Sequence, residues 1–233
     1  MPEIRDLRVA SSSQRGGLNH QAIEDYLKTI YMLAQECSPV STTRLSQARE
    51  VKPASATGMI RRLDKLNLVN YEKHRGVTLT ADGRRIALEV IRHHRLLELY
   101  LTKALGFTWD EVHEEADILE HVISEKLEER IAAVLGYPEF DPHGAPIPAK
   151  DGTVATAPWR PLTSLQIGES ARVSRIWDDS DGELLRYLAE MGLRLNVDVT
   201  IINLAPFSGP LTLAVAGEQR LLGFKAASAV LVE

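Results

Sequence analysis

Residues 115–121 read EADILEH. On a helix, at about 100° per residue, Asp117 and His121 lie one turn apart with Glu120 beside them, so three potential cation ligands share one face. Two more pairs follow helical spacing: His94 with Glu98, and His113 one turn before Asp117. Carboxylates and imidazoles without sulfur form a hard to borderline ligand set, suited to Mn²⁺ or Fe²⁺ and able to take Zn²⁺, Co²⁺, Ni²⁺ or Cd²⁺. The spacing equally fits a helix surface laced with ion pairs, since Glu, Lys and Arg crowd residues 125–130. Apolar Ile131 and Leu135 continue the stripe, which turns it toward protein, and buried carboxylates require a counter-charge.

Helices must carry these residues. Glycines able to take the left-handed cap end a helix predicted over 81–106 at Gly106 and one over 109–135 at Gly136. Upstream, Ile23, Leu27, Ile30, Tyr31 and Ala34 predict a helix over 20–36, closed by the turn at Ser38-Pro39. A second helix starts at Ser41 or Thr42 and runs through Leu45 and Ala48. A third has Pro53 at its first position and runs through Met59, Ile60 and Leu63 to Leu66. Helix, tight turn, helix is the spacing of a helix-turn-helix, and VNYEKHRGVTLT behind it reads as a hairpin, a wing.

In such a unit the third helix enters the major groove. Lys52, Ala54, Ser55 and Thr57 are then candidates for base or groove contact, and Arg44, Arg61, Arg62, Lys65 and Arg75 for phosphate. Any one of these cations alone would be an ordinary solvated side chain; their common placement on the motif points to DNA. The overall charge of -5 conceals a division: residues 38–92 hold eleven Lys or Arg against five Asp or Glu, and residues 93–136 hold four against ten. The first segment suits an anionic partner and the next a cation.

With 233 residues, 44% of them hydrophobic, the chain can bury more than one core. YPEFDPHGAPIPAKDG, crowded with Pro and Gly, reads as a linker. Beyond residue 160 come short β-type runs, ARVSRI, DVTIINL, LTLAVAG, QRLLGF and SAVLVE, with one helical insert, GELLRYLAEMG, which suggest a small barrel. No apolar run approaches the roughly 18 residues of a membrane helix, and the N-terminus lacks the apolar core of a signal peptide, so the expected location is the cytoplasm. The single cysteine, Cys37, allows no internal disulfide and no thiolate zinc site.

Taken together, IEDYLKTIYML, SATGMIRRLDKLNLV with its hairpin, RHHRLLELYL, VHEEADILEHVISEKLEERI and DPHGAPIP resemble the diphtheria-toxin-repressor family of metal-dependent transcriptional regulators, from about residue 20 to the end. The resemblance implies a mainly α fold with a winged helix-turn-helix, an α-helical dimerisation domain and a small C-terminal SH3-like β-barrel. Its boundaries would be a flexible start at 1–18, the DNA-binding domain at 19–92, the metal-binding and dimerisation domain at 93–142, a linker at 143–159 and the barrel at 160–233. It further implies a homodimer that binds a palindromic double-stranded operator with a divalent metal as co-repressor, controlling manganese or iron homeostasis genes.

The resemblance also implies a first metal site of Asp25, Asp117, Glu120 and His121, and a second around His94, Glu98 and His113. Iron-type members have methionine and cysteine at the positions of Asp25 and Asp117, and manganese-type members have acids, so Asp at both favours Mn²⁺ over Fe²⁺. Lys28 stands where manganese-type members often have another carboxylate, which argues against a closely spaced binuclear site. Glu98 and His113 resemble instead the separated second site of the iron-type branch, to which the C-terminal domain would add Asp179, with apolar Ile176 at its other position. Gly58 stands where iron-type members carry a base-contacting glutamine, so their operator sequence does not transfer.

Two other readings compete. A metalloenzyme could use the same cluster to activate water, but the chain has no HExxH and no paired ExxH motifs. A DNA-binding regulator with a different effector would keep the winged helix and leave the acidic helices structural; chelator sensitivity separates it.

Overall fold

The computed structural model describes residues 14–177 and 179–233. Of the stretch at 1–18 expected to be flexible, residues 1–13 lie outside the described residues. From Gln14 the chain is already helical, ahead of the start that the apolar spacing predicts: α1 spans Gln14–Ala34. The chain divides into two compact units, one running up to Arg92 and including Lys150–Gly152, the other formed by His93–Ala149 and Thr153–Glu233.

In the first unit α2 (Thr42–Ala48) begins where Ser41, extended, accepts a hydrogen bond from the Arg44 N–H, as a serine cap should. The next helix, α3 (Pro53–Lys65), has proline in its first turn and buries Ala56, Ile60 and Leu63, one side of the cylinder. Leu27, Ile30, Leu45, Val69 and Val77, on the elements around it, are buried as well. The hairpin pairs β1 (Val69–Glu72) with β2 (Gly76–Leu79) in antiparallel register. It is fastened by Val77, which exchanges two main-chain hydrogen bonds of 2.9 Å with Val40. Gly76, at φ +124°, is required there, because a Cβ would stand 2.5 Å from the Val40 carbonyl oxygen. Helix-turn-helix and wing therefore stand where the sequence puts them.

α4 (Ala81–Tyr100) passes into a π-helical turn, Leu101–Leu105, which Gly106 closes in the left-handed conformation, as expected. The single helix expected over 109–135 is two helices, α5 (Val112–Leu119) and α6 (Glu125–Val134). Ser124 makes the break: it is extended, and its hydroxyl accepts from the Leu127 N–H, starting a new helix. Ile131 and Leu135 therefore do not prolong the stripe of His113 and Asp117 along one axis. Leu96, Leu97 and Leu99 of α4 pack with Ala116, Ile123, Ile131, Ala132 and Ile147.

The remainder of the second unit is a six-stranded antiparallel sheet in the order β3-β8-β4-β5-β6-β7. Its strands are β3 (Arg160–Pro161), β4 (Ser170–Ile176), β5 (Asp198–Leu204), β6 (Leu211–Val215), β7 (Glu218–Leu222) and β8 (Val230–Val232). The helical insert is α7 (Gly182–Glu190), capped by Asp181, and a short α8 (Phe224–Ser228) precedes β8. The five β-type runs of the sequence supply β4 to β8; β3 and α8 were too short to be legible. Trp109, ahead of α5, is buried in the core of this sheet with Leu162, Leu185 and Leu213.

The Pro/Gly-rich stretch is tightly held where it begins. Asp141 Oδ1 accepts from the main-chain N–H groups of His143 and Ala145, and the Ile176 N–H of β4 donates to the His143 carbonyl at 2.9 Å. Gly144 lies so close to β4 that a Cβ would be 2.1 Å from the Ser174 carbonyl oxygen. Among the described residues no helix is long and apolar enough to cross a membrane.

Candidate metal centre and DNA-binding face

The second unit gathers the ligand-type residues of α4 and α5. His94 Nε2, Glu98 Oε1 and His113 Nδ1 form a triangle with sides of 3.0, 3.1 and 3.2 Å. An octahedral ion with bonds of about 2.1 Å has ligand atoms separated by about 3.0 Å, so the three donors already lie at the spacing of one coordination shell. Glu98 is fully buried and His94 nearly so. On the other side of its ring, His94 Nδ1 lies 2.6 Å from Glu120 Oε2 and 3.2 Å from Asp117 Oδ1, while His113 Nε2 is 3.6 Å from Asp117 Oδ2. His94 thus stands between the two ligand sets that the sequence reading kept apart. His121 Nε2 lies 3.4 Å from Glu120 Oε1, just past the end of α5. Glu120 is buried, whereas the side chain of Asp117 is half exposed.

Asp25 belongs to the first unit, where Arg49, the residue that closes α2, holds it: Nη2 is 2.8 Å from Asp25 Oδ2 and the guanidinium sits over the Tyr26 ring.

Two residues that sequence reasoning left in a linker complete a second cluster. Glu98, Asp141 and His143 are all buried and can bring one ligand atom each within 4.8 Å of the others. Glu98 Oε2, Asp141 Oδ2 and His143 Nδ1 make no hydrogen bond; Asp141 Oδ2 faces Arg95 Nε at 3.5 Å and Glu98 Oε2 faces His143 at 3.7 Å, loose contacts that leave room for a closer cation. His143 Nε2–H donates to the Trp109 carbonyl at 2.7 Å, which leaves Nδ1 facing Glu98 Oε2 at 3.7 Å. Asp179 adds negative charge to this cluster. The legible signal was Asp-x-His within DPHG, spacing that suits two ligands on one tight loop.

Electrostatics agree. Burial works to raise the Glu98 carboxyl, but the charge of His94 and the imidazoles of His113 and His143 outweigh it and hold Glu98 well below the usual range. Asp141 is pushed up to about 7 by burial and by the charge of Glu98, against the pull of Arg95. For His143 burial lowers the value, yet Glu98, Asp141 and Asp179 together raise it to about 9.

On the DNA-binding side, Lys52, Ala54, Ser55, Arg61, Arg62 and Lys65 are exposed on or at the start of α3. Thr57 is partly covered and its hydroxyl donates to the Pro53 carbonyl. Arg44 is paired with Glu36 and Arg75 with Glu72, so phosphate at either position would compete with a carboxylate. Gly58 faces open space, where a side chain would meet nothing.

A winged helix-turn-helix in one unit, with buried imidazoles and carboxylates in the other, defines a metal-responsive DNA-binding regulator. Residues 20–77, 80–149 and 160–233 match, in turn, the iron dependent repressor N-terminal DNA binding domain, the iron dependent repressor metal binding and dimerisation domain, and the FeoA domain. The iron-dependent repressor IdeR of Mycobacterium leprae (strain TN) is 32% identical over 223 residues, covering 90% of this chain and 96% of that protein. A manganese-dependent transcriptional repressor solved in complex with manganese is 43% identical, with a TM-score of 0.83 over 90% of this chain and 98% of its own. ScaR with bound Cd²⁺ superposes at a TM-score of 0.78 with 32% identity, over 91% of this chain and 98% of its own. The chain belongs to the iron-dependent repressor family, which includes the diphtheria toxin repressors: metal-dependent transcriptional repressors, not enzymes.

Proposed function

We propose that this repressor reports manganese, with Fe²⁺ as the second choice, and that it binds palindromic operators of metal homeostasis genes as a homodimer in the cytoplasm. The observation that carries the metal reading is the 3.0 to 3.2 Å triangle of His94, Glu98 and His113. Asp117, Glu120 and His121, with Asp25 as the resemblance implies, are the ligands of the first site; carboxylates where a thiolate or thioether would select softer ions support Mn²⁺. The second site draws on Glu98, His94 and His113, extended by His143, Asp141 and Asp179. Bound there, a divalent ion would add positive charge beside carboxylates that Arg95 and His143 face only at 3.5 and 3.7 Å. Arg61, Arg62 and Lys65 hold phosphates while Ala54, Ser55 and Thr57 face the groove, and the six-stranded sheet closes as an SH3-like barrel.

The deciding experiment titrates the protein onto its own promoter DNA, anaerobically, in EDTA, Mn²⁺ and Fe²⁺. Operator affinity should rise with Mn²⁺ and fall steeply with salt, as released counterions require. Binding that ignores EDTA would favour a regulator with another effector.

Acidity gives a second test. Lowered Glu98 contributes stability that is present above about pH 4.5 and lost as pH falls. His143, raised from 6.5 to about 9, contributes stability that is complete below 6.5 and lost as pH climbs through 9; Asp141, raised from 3.8 to about 7, loses its share as pH climbs through 7. The metal-free protein should therefore melt at lower temperature at pH 9 than at pH 6. Ligation needs His143 and Asp141 deprotonated, so the stabilisation by Mn²⁺ should widen over the same interval. Calorimetric melts with and without EDTA check both signs.

A further inference from the structure

Glu120 ends α5, and its main-chain carbonyl is among those that a helix terminus leaves without an intrahelical partner. His93 supplies one. Its Nδ1 lies 3.2 Å from the Glu120 carbonyl oxygen, and since a carbonyl only accepts, Nδ1 carries the hydrogen. The ring is 1% exposed, and its Nε2 faces Glu128 Oε2 of α6 at 3.5 Å, a carboxylate equally buried. His94, next in sequence, lies against the carboxylate of the same Glu120 at 2.6 Å. Consecutive histidines of α4 thus hold the main chain and the side chain of one residue.

We propose that His93 is a positioning residue of the metal centre: its bond to the Glu120 carbonyl fixes the turn between α5 and α6, so that the Glu120 carboxylate and the neighbouring His121 ring present their donor atoms together, with Glu128 steadying the imidazole from α6. The inference rests on reading Glu120 and His121 as ligands. Groups that orient ligands through such bonds carry a large part of a site's affinity.

His93→Asn places an amide donor where Nδ1 was, whereas His93→Gln reaches toward Glu128 and leaves the Glu120 carbonyl without its donor. Mn²⁺ affinity is measured by calorimetry on the full chain, with the electron paramagnetic resonance spectrum of the bound ion and the melting temperature in EDTA as controls. His93→Asn should stay within about threefold of the wild type, and His93→Gln should bind Mn²⁺ about tenfold more weakly or worse, with an altered spectrum. Equal losses in both variants, or wild-type affinity in His93→Gln, would overturn the positioning role. Should His93→Gln not fold, Glu128→Gln decides: a severalfold loss supports the role, and unchanged affinity overturns it. A wild-type chain that takes up no Mn²⁺ removes the reading of the ligands themselves, a different failure.

Discussion

His121→Ala should bind operator DNA with the same affinity in saturating Mn²⁺ as in EDTA. The imidazole stands just beyond the end of α5, 3.4 Å from Glu120 Oε1, with its side chain 7% exposed. On the proposed reading its removal takes away one ligand, together with the packing of a nearly buried ring. Metal and operator affinities are linked reciprocally, and such couplings commonly amount to about 5- to 150-fold. That increment should vanish while circular dichroism and dimer mass stay those of the wild type. Asp117→Ala should behave alike and disturb the fold still less, because Asp117 is half exposed. A fivefold or greater gain on adding Mn²⁺ to either variant would contradict the assignment.

Glu98→Ala should be the most destabilising single change in the second unit. The carboxylate is fully buried and faces His94, His113 and His143, and the charge of His94 with those imidazoles keeps it ionised against the effect of burial. Alanine removes the anion that three imidazoles share, two of them buried, and leaves His94 and His113 only the carboxylates of Glu120 and Asp117. Breaking a buried ion pair by removing one partner costs about 3–5 kcal/mol. At about 2–4 °C per kcal/mol for a domain of this size, the melting temperature in EDTA should drop by about 6–20 °C. Glu98→Gln keeps the volume and some hydrogen bonding, so it should fall between the two while still losing metal at this position. A loss under about 1 kcal/mol in Glu98→Ala would show that the histidines find other acceptors.

Most of the DNA-reading unit was legible because its punctuation is local. Ser41 and Pro53 start helices, and Gly76 stands where only glycine fits. The break between α5 and α6 was hidden because Ile131 and Leu135 fall in phase with His113 and Asp117, so periodicity alone runs through Ser124. Asp141 and His143 escaped for the opposite reason. Pro and Gly around them signal only that no helix continues; that the loop is bound to β4 depends on Gly144 and Ser174, thirty residues apart in sequence. His93 escaped because what it touches, the Glu120 carbonyl, has no signature in side-chain type.

Asp25 carries a further consequence. Its carboxylate already serves a cation, the guanidinium of Arg49. On the proposed reading an incoming ion competes with an internal rival for the same carboxylate, whose Oδ2 the guanidinium holds, and the concentration at which the sensor responds is set by the difference between the two affinities. The exchange also has an electrostatic direction. An arginine displaced from Asp25 remains at the end of α2, so capture of the metal would hand an uncompensated positive charge to the unit that meets the phosphates of DNA.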